Sequence, residues 1–170
     1  SRKFLAALMS VSGSESYSPP GAGARRLPRR VDRDQTWEGN IELTQGLLVP
    51  GGITLRLAPG ARLNFSGTSA PYPGAVVLGR LIAGGTKLKP IKIVSPGSWA
   101  GLSFGAGAVS ELEYVEIANA REALSCWGTS ITVLKNTLIH SGLMGLGCYE
   151  KSRLELSDCD LSDLAHWGIT

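Results

Sequence analysis

The feature that most constrains this chain is a repeat of about 22 residues in its second half. A small residue followed by an aliphatic residue recurs at intervals of 22, 22 and 23 residues, with the aliphatic positions at Leu102, Leu124, Leu146 and Ile169. Repeats of this length are typical of stacked architectures, in which each repeat is one structural unit that packs on the next. The nature of the unit therefore decides the fold.

The repeated unit has the pattern of strands rather than helices. Its apolar runs are short, and glycine or proline separates them. Apolar and polar residues alternate within residues 53–57 and 61–65, which is the period of a strand, whereas a helical repeat needs apolar blocks of about ten residues or more. The sequence predicts a coil with about three short strands per turn, in which equivalent strands stack in parallel about 4.8 Å apart.

Composition agrees with such a fold and excludes some functions. The 170 residues include 22 glycines, with 6% aromatic and 18% charged residues, which favours short strands and tight turns. The net charge is only +3, and much of the positive excess lies in residues 24–33. Because the repeats carry no basic stripe, we expect no nucleic acid partner. No apolar stretch is as long as a transmembrane span, and no cofactor is predicted.

The pattern of the sequence changes at Trp37, where short alternating apolar runs separated by glycine begin. Residues 1–36 combine an apolar run with a segment rich in proline, glycine and arginine, and are predicted to form an N-terminal arm or cap. The opening "SRKFLAALMSVSGSES" has two interpretations, a clipped secretory signal or a short amphipathic helix that belongs to the domain, and we favour the second. Residues 37–170 are predicted to form the coil.

Three segments carry a resemblance to a known family. They read "VPGGITLRLAPGARLNF", "GRLIAGGTKLKPIKIVS" and "WAGLSF", and they resemble the opening of bacterial right-handed parallel β-helix proteins of the pectate-lyase-like type. The resemblance covers residues 37–170. It implies an all-β fold, a right-handed single-stranded parallel β-helix, and a location in the periplasm or at the cell surface. The family includes polysaccharide lyases, uronan epimerases, phage tailspikes and many surface proteins of unassigned role.

The repeat also predicts which side chains share a face. If Leu102 and Phe104 point inward, then Cys126 and Cys148 occupy the position of Phe104 on the next two turns. Stacked strands bring Cα atoms within disulfide range, so the two cysteines form either a disulfide between turns or a pair of buried thiols.

Two further columns of the repeat define the outer face. The alignment sets Val133 beneath Leu112, and Leu138 beneath Ile117. It also extends two columns one turn earlier, by 21 residues each, from Leu102 to Leu81 and from Leu112 to Ile91. Its consequences are an inward Asn136, an outward column of Glu116, Thr137 and Asp160, a second outward column of Glu111, Thr132 and Glu155, and an ion pair between Lys135 and Asp158.

Paired carboxylates on the outer face are how polysaccharide hydrolases of this fold work, so the acidic residues form an alternative catalytic site. The candidates are Glu116, Asp158, Asp160, Asp163 and His166, with His140 as a second histidine. The hydrolase motif "NTD" is replaced by "NTL" at residues 136–138, and the epimerase motif "DPHD" is absent. No residue is therefore assigned as catalytic. No metal site is predicted, because two histidines on different turns do not converge.

Two aromatic residues suggest a binding surface instead. Trp127 and Tyr149 each follow an inward cysteine, so both are predicted to point outward and to stack. An exposed aromatic pair is a platform for sugar rings or for a partner protein, or it covers a neighbouring turn.

These observations predict a non-catalytic scaffold or binding module, an accessory subunit of a larger bacterial surface or periplasmic assembly. Other protein subunits are expected to contact residues 1–36 and the open C-terminal end, since a coil of parallel strands does not leave its last turn bare. The alternatives are a carbohydrate-active enzyme, or a fragment of one, and a tailspike-like trimer subunit.

Overall fold

The computed structural model describes residues 28–67, 71–166 and 169–170. Within these residues, eighteen strands form three sheets of six strands each, and there is no helix. Sheet A contains β1 (Arg29–Arg30), β4 (Leu47–Val49), β7 (Ala75–Val77), β10 (Leu102–Phe104), β13 (Glu122–Cys126) and β16 (Met144–Cys148). Sheet B contains β2 (Gln35–Trp37), β5 (Thr54–Leu57), β8 (Arg80–Gly84), β11 (Val109–Glu113), β14 (Ile131–Lys135) and β17 (Arg153–Ser157). Sheet C contains β3 (Asn40–Glu42), β6 (Arg62–Asn64), β9 (Ile91–Val94), β12 (Val115–Ala118), β15 (Leu138–His140) and β18 (Asp160–Ser162).

The chain visits the three sheets in a fixed order and so forms a parallel β-solenoid of six turns. Every strand pairs in parallel with the strand three places along the chain, such as β10 with β13 and β13 with β16. Leu102, Leu124 and Leu146 are register partners, and Ile169 continues their column as a bridge to Leu146. The coil of three-stranded turns predicted from the repeat is confirmed.

The core lies inside the coil and consists of stacked aliphatic columns. Leu102, Leu124 and Leu146 are all at most 2% exposed. Trp99 fills the space at the junction between sheets C and A, where its ring stacks on Phe65 with centroids 4.5 Å apart. Its indole N–H donates to the carbonyl of Ala118 at 2.8 Å. A repeat unit of this kind is stabilised mainly by the turn above and the turn below it.

The corners of the later turns repeat a left-handed backbone conformation every 22 residues. Between sheets B and C, φ is positive at Tyr114, Asn136 and Asp158. Between sheets C and A, φ is positive at Asn119, Ser141 and Asp163. Asn and Asp tolerate this conformation better than most residues that carry a side chain, which explains their recurrence at the corners.

The alignment of sheets B and C from sequence is wrong by one residue in the fifth turn. Leu112 pairs with Leu134 and not with Val133, and Ile117 pairs with Ile139 and not with Leu138. A shift of one residue exchanges the two faces of a strand. Asn136 is accordingly an exposed corner residue, and the buried residue at this point is Thr137.

The dependent assignments change with that shift. Lys135 lies opposite Ser157 rather than beside Asp158, and Thr132 is buried rather than outward. The outward columns are Glu116–Leu138–Asp160 and Glu111–Val133–Glu155. The predicted positions of Leu81 and Ile91 in the preceding turn are also wrong, because Leu81 pairs with Ser110 and Ile91 pairs with Val115. The third turn is longer than the repeat there, with connections at residues 85–90 and 95–101.

The coil begins at Arg29, before the boundary that the sequence places at Trp37. Strand β1 falls within residues 1–36 and pairs with β4, and β2 crosses the predicted boundary and pairs with β5. The rest of the predicted arm, residues 1–27, lies outside the described residues. In the part of the chain that is described, no helix has the length and apolar character needed to cross a bilayer.

Candidate functional site

Trp127 and Tyr149 stack at the end of sheet A, one turn apart. Their ring centroids are 4.1 Å apart and their planes differ by 16°. The Tyr149 hydroxyl donates a hydrogen bond of 2.8 Å to Oε1 of Glu122. Glu122, Trp127 and Tyr149 are named the aromatic cluster below. The stacking predicted from the repeat is present, but Trp127 is only 6% exposed, so Tyr149 is the ring of the pair that solvent reaches.

Gly147 makes room for this cluster on β16. It lies opposite Ser125, on the outward face of the sheet. A Cβ atom at Gly147 would collide with the carboxylate of Glu122 and with the ring of Tyr149. The Tyr149 ring therefore folds back over its own strand instead of extending into solvent. Sequence reasoning missed both Glu122 and Gly147, although a glycine that interrupts an outward column is a signal of close approach.

A second polar cluster lies on the outward face of sheet C and consists of Lys92, Glu116 and His140, named the charge ladder below. Lys92 and Glu116 are register partners, and their Nζ and Oε2 atoms are 3.4 Å apart. Nε2 of His140 lies 3.0 Å from Oε1 of Glu116. Nδ1 of His140 is 2.9 Å from the hydroxyl of Ser141. The carboxylate is thus held between two basic side chains from the turns on either side.

The surroundings of Glu116 control its ionisation. Partial burial alone would raise its pKa, but the hydrogen bond with His140 and the charge of Lys92 outweigh that effect, and the pKa lies below the ordinary 4.5. Glu116 therefore remains a carboxylate at neutral pH. A general acid needs the opposite shift, so the ladder favours electrostatic contact rather than proton donation by Glu116.

The remaining acidic candidates do not converge on Glu116. Asp160 shares its column, but Leu138 lies between them, which sets the two backbones about 10 Å apart. Asp158 and Asp163 are exposed corner residues with left-handed backbone. His166 follows β18, where its backbone N–H donates to the carbonyl of Leu143. The histidine beside Glu116 is His140, and the described residues contain no cluster of three or more potential metal ligands.

Cys126 and Cys148 are register partners, as the repeat predicts, and both are free thiols. Cys126 is fully buried, and burial raises its pKa to about 11. Cys148 lies in the sixth turn and is exposed, with its sulfur 3.1 Å from the hydroxyl of Ser152. The two thiols therefore stack without a disulfide, but only Cys126 is buried, so they are not the pair of buried thiols that the sequence offers as the alternative.

No protein-family model matches the chain, and it matches neither a curated protein nor a solved structure. The assignment of the fold therefore depends on the strand register alone.

Proposed function

We propose that this chain is a non-catalytic binding scaffold of the bacterial parallel β-helix type, which acts as an accessory subunit of an assembly outside the cytoplasm. The observation that carries the proposal is the Trp127–Tyr149 stack, fixed by the hydrogen bond from Tyr149 to Glu122. Trp127 and Glu122 are buried and hold the ring of Tyr149 in place, so Tyr149 offers a ligand a rigid apolar surface. Sugars present the complementary surface, an apolar ring face bordered by hydroxyl donors.

The rigidity of the site supports binding over chemistry. The two rings come from adjacent turns of one sheet, and their spacing follows from the strand spacing. A preformed site loses little conformational entropy when a ligand binds. The acidic residues considered as catalysts have structural roles instead, Glu116 in the charge ladder and Asp158 and Asp163 at the corners.

The proposal is tested by titrating the protein with neutral and uronic-acid oligosaccharides in a calorimeter. We expect one class to bind, and Tyr149→Ala to weaken that binding at least about tenfold, which is the size of effect typical of an aromatic contact at a binding site. Leu88→Ala is the matched control, because Leu88 is 92% exposed and lies in the connection between β8 and β9. Equal affinities of the two variants, or no binding to either class, would overturn the assignment of a sugar-binding surface.

A carbohydrate-active enzyme is the second candidate, and the Glu116–Asp160 column favours it. Two acidic residues on one face whose backbones are about 10 Å apart approach the separation of an inverting pair. The test is release of reducing or unsaturated ends from uronans, with Glu116→Gln and Asp160→Asn as variants and Glu111→Gln on sheet B as control. Turnover that both variants abolish and the control retains would establish the enzyme, whereas absence of turnover in the unmodified chain favours the scaffold.

A further inference from the structure

The connection from sheet B to sheet C in the third turn, residues 85–90, is the longest of the six connections between these two sheets. It has six residues, whereas the other five have between one and four. The strands β8 and β9 on either side of it keep their pairing with the turns above and below, so the extra residues serve no purpose in the register. Insertions into one repeat of a solenoid form surface loops, which often carry binding residues.

Hydrogen bonds fix the base of this loop. The backbone N–H of Lys89 donates to Oγ1 of Thr86 at 3.0 Å, and the backbone N–H of Thr86 donates to the carbonyl of Lys89 at 3.1 Å. The same carbonyl accepts a bond of 3.0 Å from the N–H of Gly60, which lies in the equivalent connection of the second turn. Lys87 and Leu88 therefore lie at the tip of a loop that is attached to the coil at its base.

Leu88 projects from this tip with almost all of its side chain in solvent. It is 92% exposed, whereas the other exposed large apolar residues that the structure describes, Ile131, Leu156 and Ile169, are between 39% and 59% exposed. A single exposed apolar residue is common, but it is usually partly covered by its neighbours. Nearly the whole apolar surface of Leu88 is thus available to an apolar medium, and its transfer there requires no change in the coil.

The loop belongs to a part of the chain that carries only positive charge. Residues 43–110, which include the second and third turns, contain six basic residues and no acidic residue, whereas residues 111–170 contain nine acidic and four basic residues. Five of the six basic residues are exposed, and the sixth, Lys92, is paired with Glu116 in the charge ladder. The six are Arg56, Arg62, Arg80, Lys87, Lys89 and Lys92.

We propose that residues 85–90 form a membrane-contact loop, in which Leu88 inserts into an anionic lipid bilayer while Lys87 and Lys89 bind lipid phosphates. An apolar insertion combined with a cluster of basic residues is the pair of signals that reversible attachment to an anionic bilayer needs. Glu113 lies beside the base of the loop, opposite Gly84 in the next turn, and the two lysines outweigh its charge.

The composition of the loop favours a lipid surface over a protein partner. A specific protein interface covers about 800 Å² on each side, and charged residues are depleted from its centre. The loop has the opposite arrangement, with one apolar side chain between two cations. A bilayer needs no pocket of complementary shape, because its acyl chains accommodate a single leucine and its phosphates lie around the point of insertion.

This inference is independent of sugar binding, because the loop lies between sheets B and C and the aromatic cluster lies on sheet A. Leu88→Ala remains the control in the oligosaccharide titration, which contains no lipid. The sugar-binding proposal and the membrane proposal can therefore fail separately.

Vesicle sedimentation with the full chain tests the proposal. The probes are vesicles of phosphatidylcholine alone and of an equal mixture of phosphatidylcholine and phosphatidylglycerol. We expect binding to the mixed vesicles only, and Leu88→Ala should lower the partition coefficient at least about fivefold. Lys87→Gln combined with Lys89→Gln should lower it at least about tenfold, since each basic side chain near an anionic surface contributes a factor of about five.

Two matched controls separate the loop from the general properties of the surface. Lys151→Gln combined with Arg153→Gln removes the same charge from the connection between sheets A and B in the sixth turn, and Ile131→Ala shortens another exposed apolar side chain. Both controls should change the partition coefficient less than about twofold. Urea midpoints within error of the unmodified chain show that every variant is folded.

Insertion is measured directly with a fluorophore that responds to polarity, nitrobenzoxadiazole, attached to Leu88→Cys in a background of Cys148→Ser and Cys159→Ser. We expect mixed vesicles to shift its emission to shorter wavelength, and to leave the emission of the same label at Ile131→Cys unchanged.

Four outcomes would overturn the proposal. They are no binding to either kind of vesicle, equal loss of binding in the loop variants and their controls, binding without an emission shift at position 88, and retention on immobilised polyglutamate without vesicle binding. The last would identify an acidic polypeptide as the partner of the two lysines.

Discussion

The hydroxyl of Tyr149 lies 2.8 Å from Oε1 of Glu122, although 27 residues separate the two in the chain. Glu122 is the first residue of β13 and is only 6% exposed, and Tyr149 follows β16 in the next turn. The hydrogen bond therefore joins two successive turns on the outer face of sheet A. It provides a donor for a carboxylate that burial would otherwise penalise.

Removal of the Tyr149 hydroxyl is expected to destabilise the fold. Tyr149→Phe keeps the ring on Trp127 and deletes only the donor to Glu122. The free energy of unfolding should fall by about 1–3 kcal/mol, the usual cost of removing a partner from a buried polar group. Urea denaturation measures the change, with Tyr72→Phe as control because that ring also remains in place, over Arg121. Equal effects of the two variants would show that the hydrogen bond adds nothing.

The charge ladder predicts a pH dependence of stability. The folded-state pKa of Glu116 lies below its ordinary 4.5, so the folded protein favours the carboxylate. Its contribution is fully present above about pH 4.5 and is lost as the pH falls through the lower folded-state pKa. Urea midpoints between pH 3 and 7 should therefore fall less steeply at the acidic end in Glu116→Gln than in the unmodified chain. Glu111→Gln should retain the unmodified slope, and a common slope for all three proteins would contradict the ladder.

The columns that the sequence predicted correctly are those with an unambiguous anchor. Leu102, Leu124 and Leu146 each follow a small residue, so only one alignment fits them. The fifth turn offers two adjacent aliphatic residues in each of the other sheets, Val133 with Leu134 and Leu138 with Ile139. Adjacent apolar residues carry no information about which one points inward, and the alignment chose the wrong member in both cases.

The sequence likewise predicts some features of the candidate site and not others. Trp127 and Tyr149 lie one repeat apart, so their stacking follows from the period of the sequence. The hydrogen bond between Tyr149 and Glu122 does not follow from the period, because the direction of the Tyr149 ring depends on the space above Gly147. The neighbour of Glu116 is His140 and not His166 for a related reason. The end of β15 is opposite the end of β12, and this register was lost in the one-residue shift.

The left-handed backbone at the corners predicts that alanine and glycine at position 136 have different effects on the free energy of unfolding. Asn136 is exposed and has a φ of 47°, so its side chain matters mainly for the backbone conformation. Asn136→Ala should lower the free energy of unfolding by about 1 kcal/mol, whereas Asn136→Gly should leave it unchanged or raise it slightly. Thermal unfolding of the two variants separates these outcomes. A loss of stability in the glycine variant as large as in the alanine variant would show that the Asn136 side chain acts through a contact instead.

The stacked thiols should differ sharply in reactivity. The thiolate is the reactive form, and burial of Cys126 raises its pKa from 9.0 to about 11, while Cys148 is exposed. In a Cys159→Ser chain at pH 8, iodoacetamide should modify Cys148 and leave Cys126 intact until the protein is unfolded. Peptide mass spectrometry identifies the modified residue, and Cys148→Ser should eliminate the fast reaction.

The raised pKa of Cys126 also predicts a loss of stability at alkaline pH. Because the folded-state pKa of Cys126 is raised, its contribution to stability is complete below pH 9 and is lost as the pH rises towards 11. Cys126→Ala should remove that alkaline loss, and modification of Cys126 as fast as Cys148 in the folded chain would contradict the inward orientation on which the core of sheet A depends.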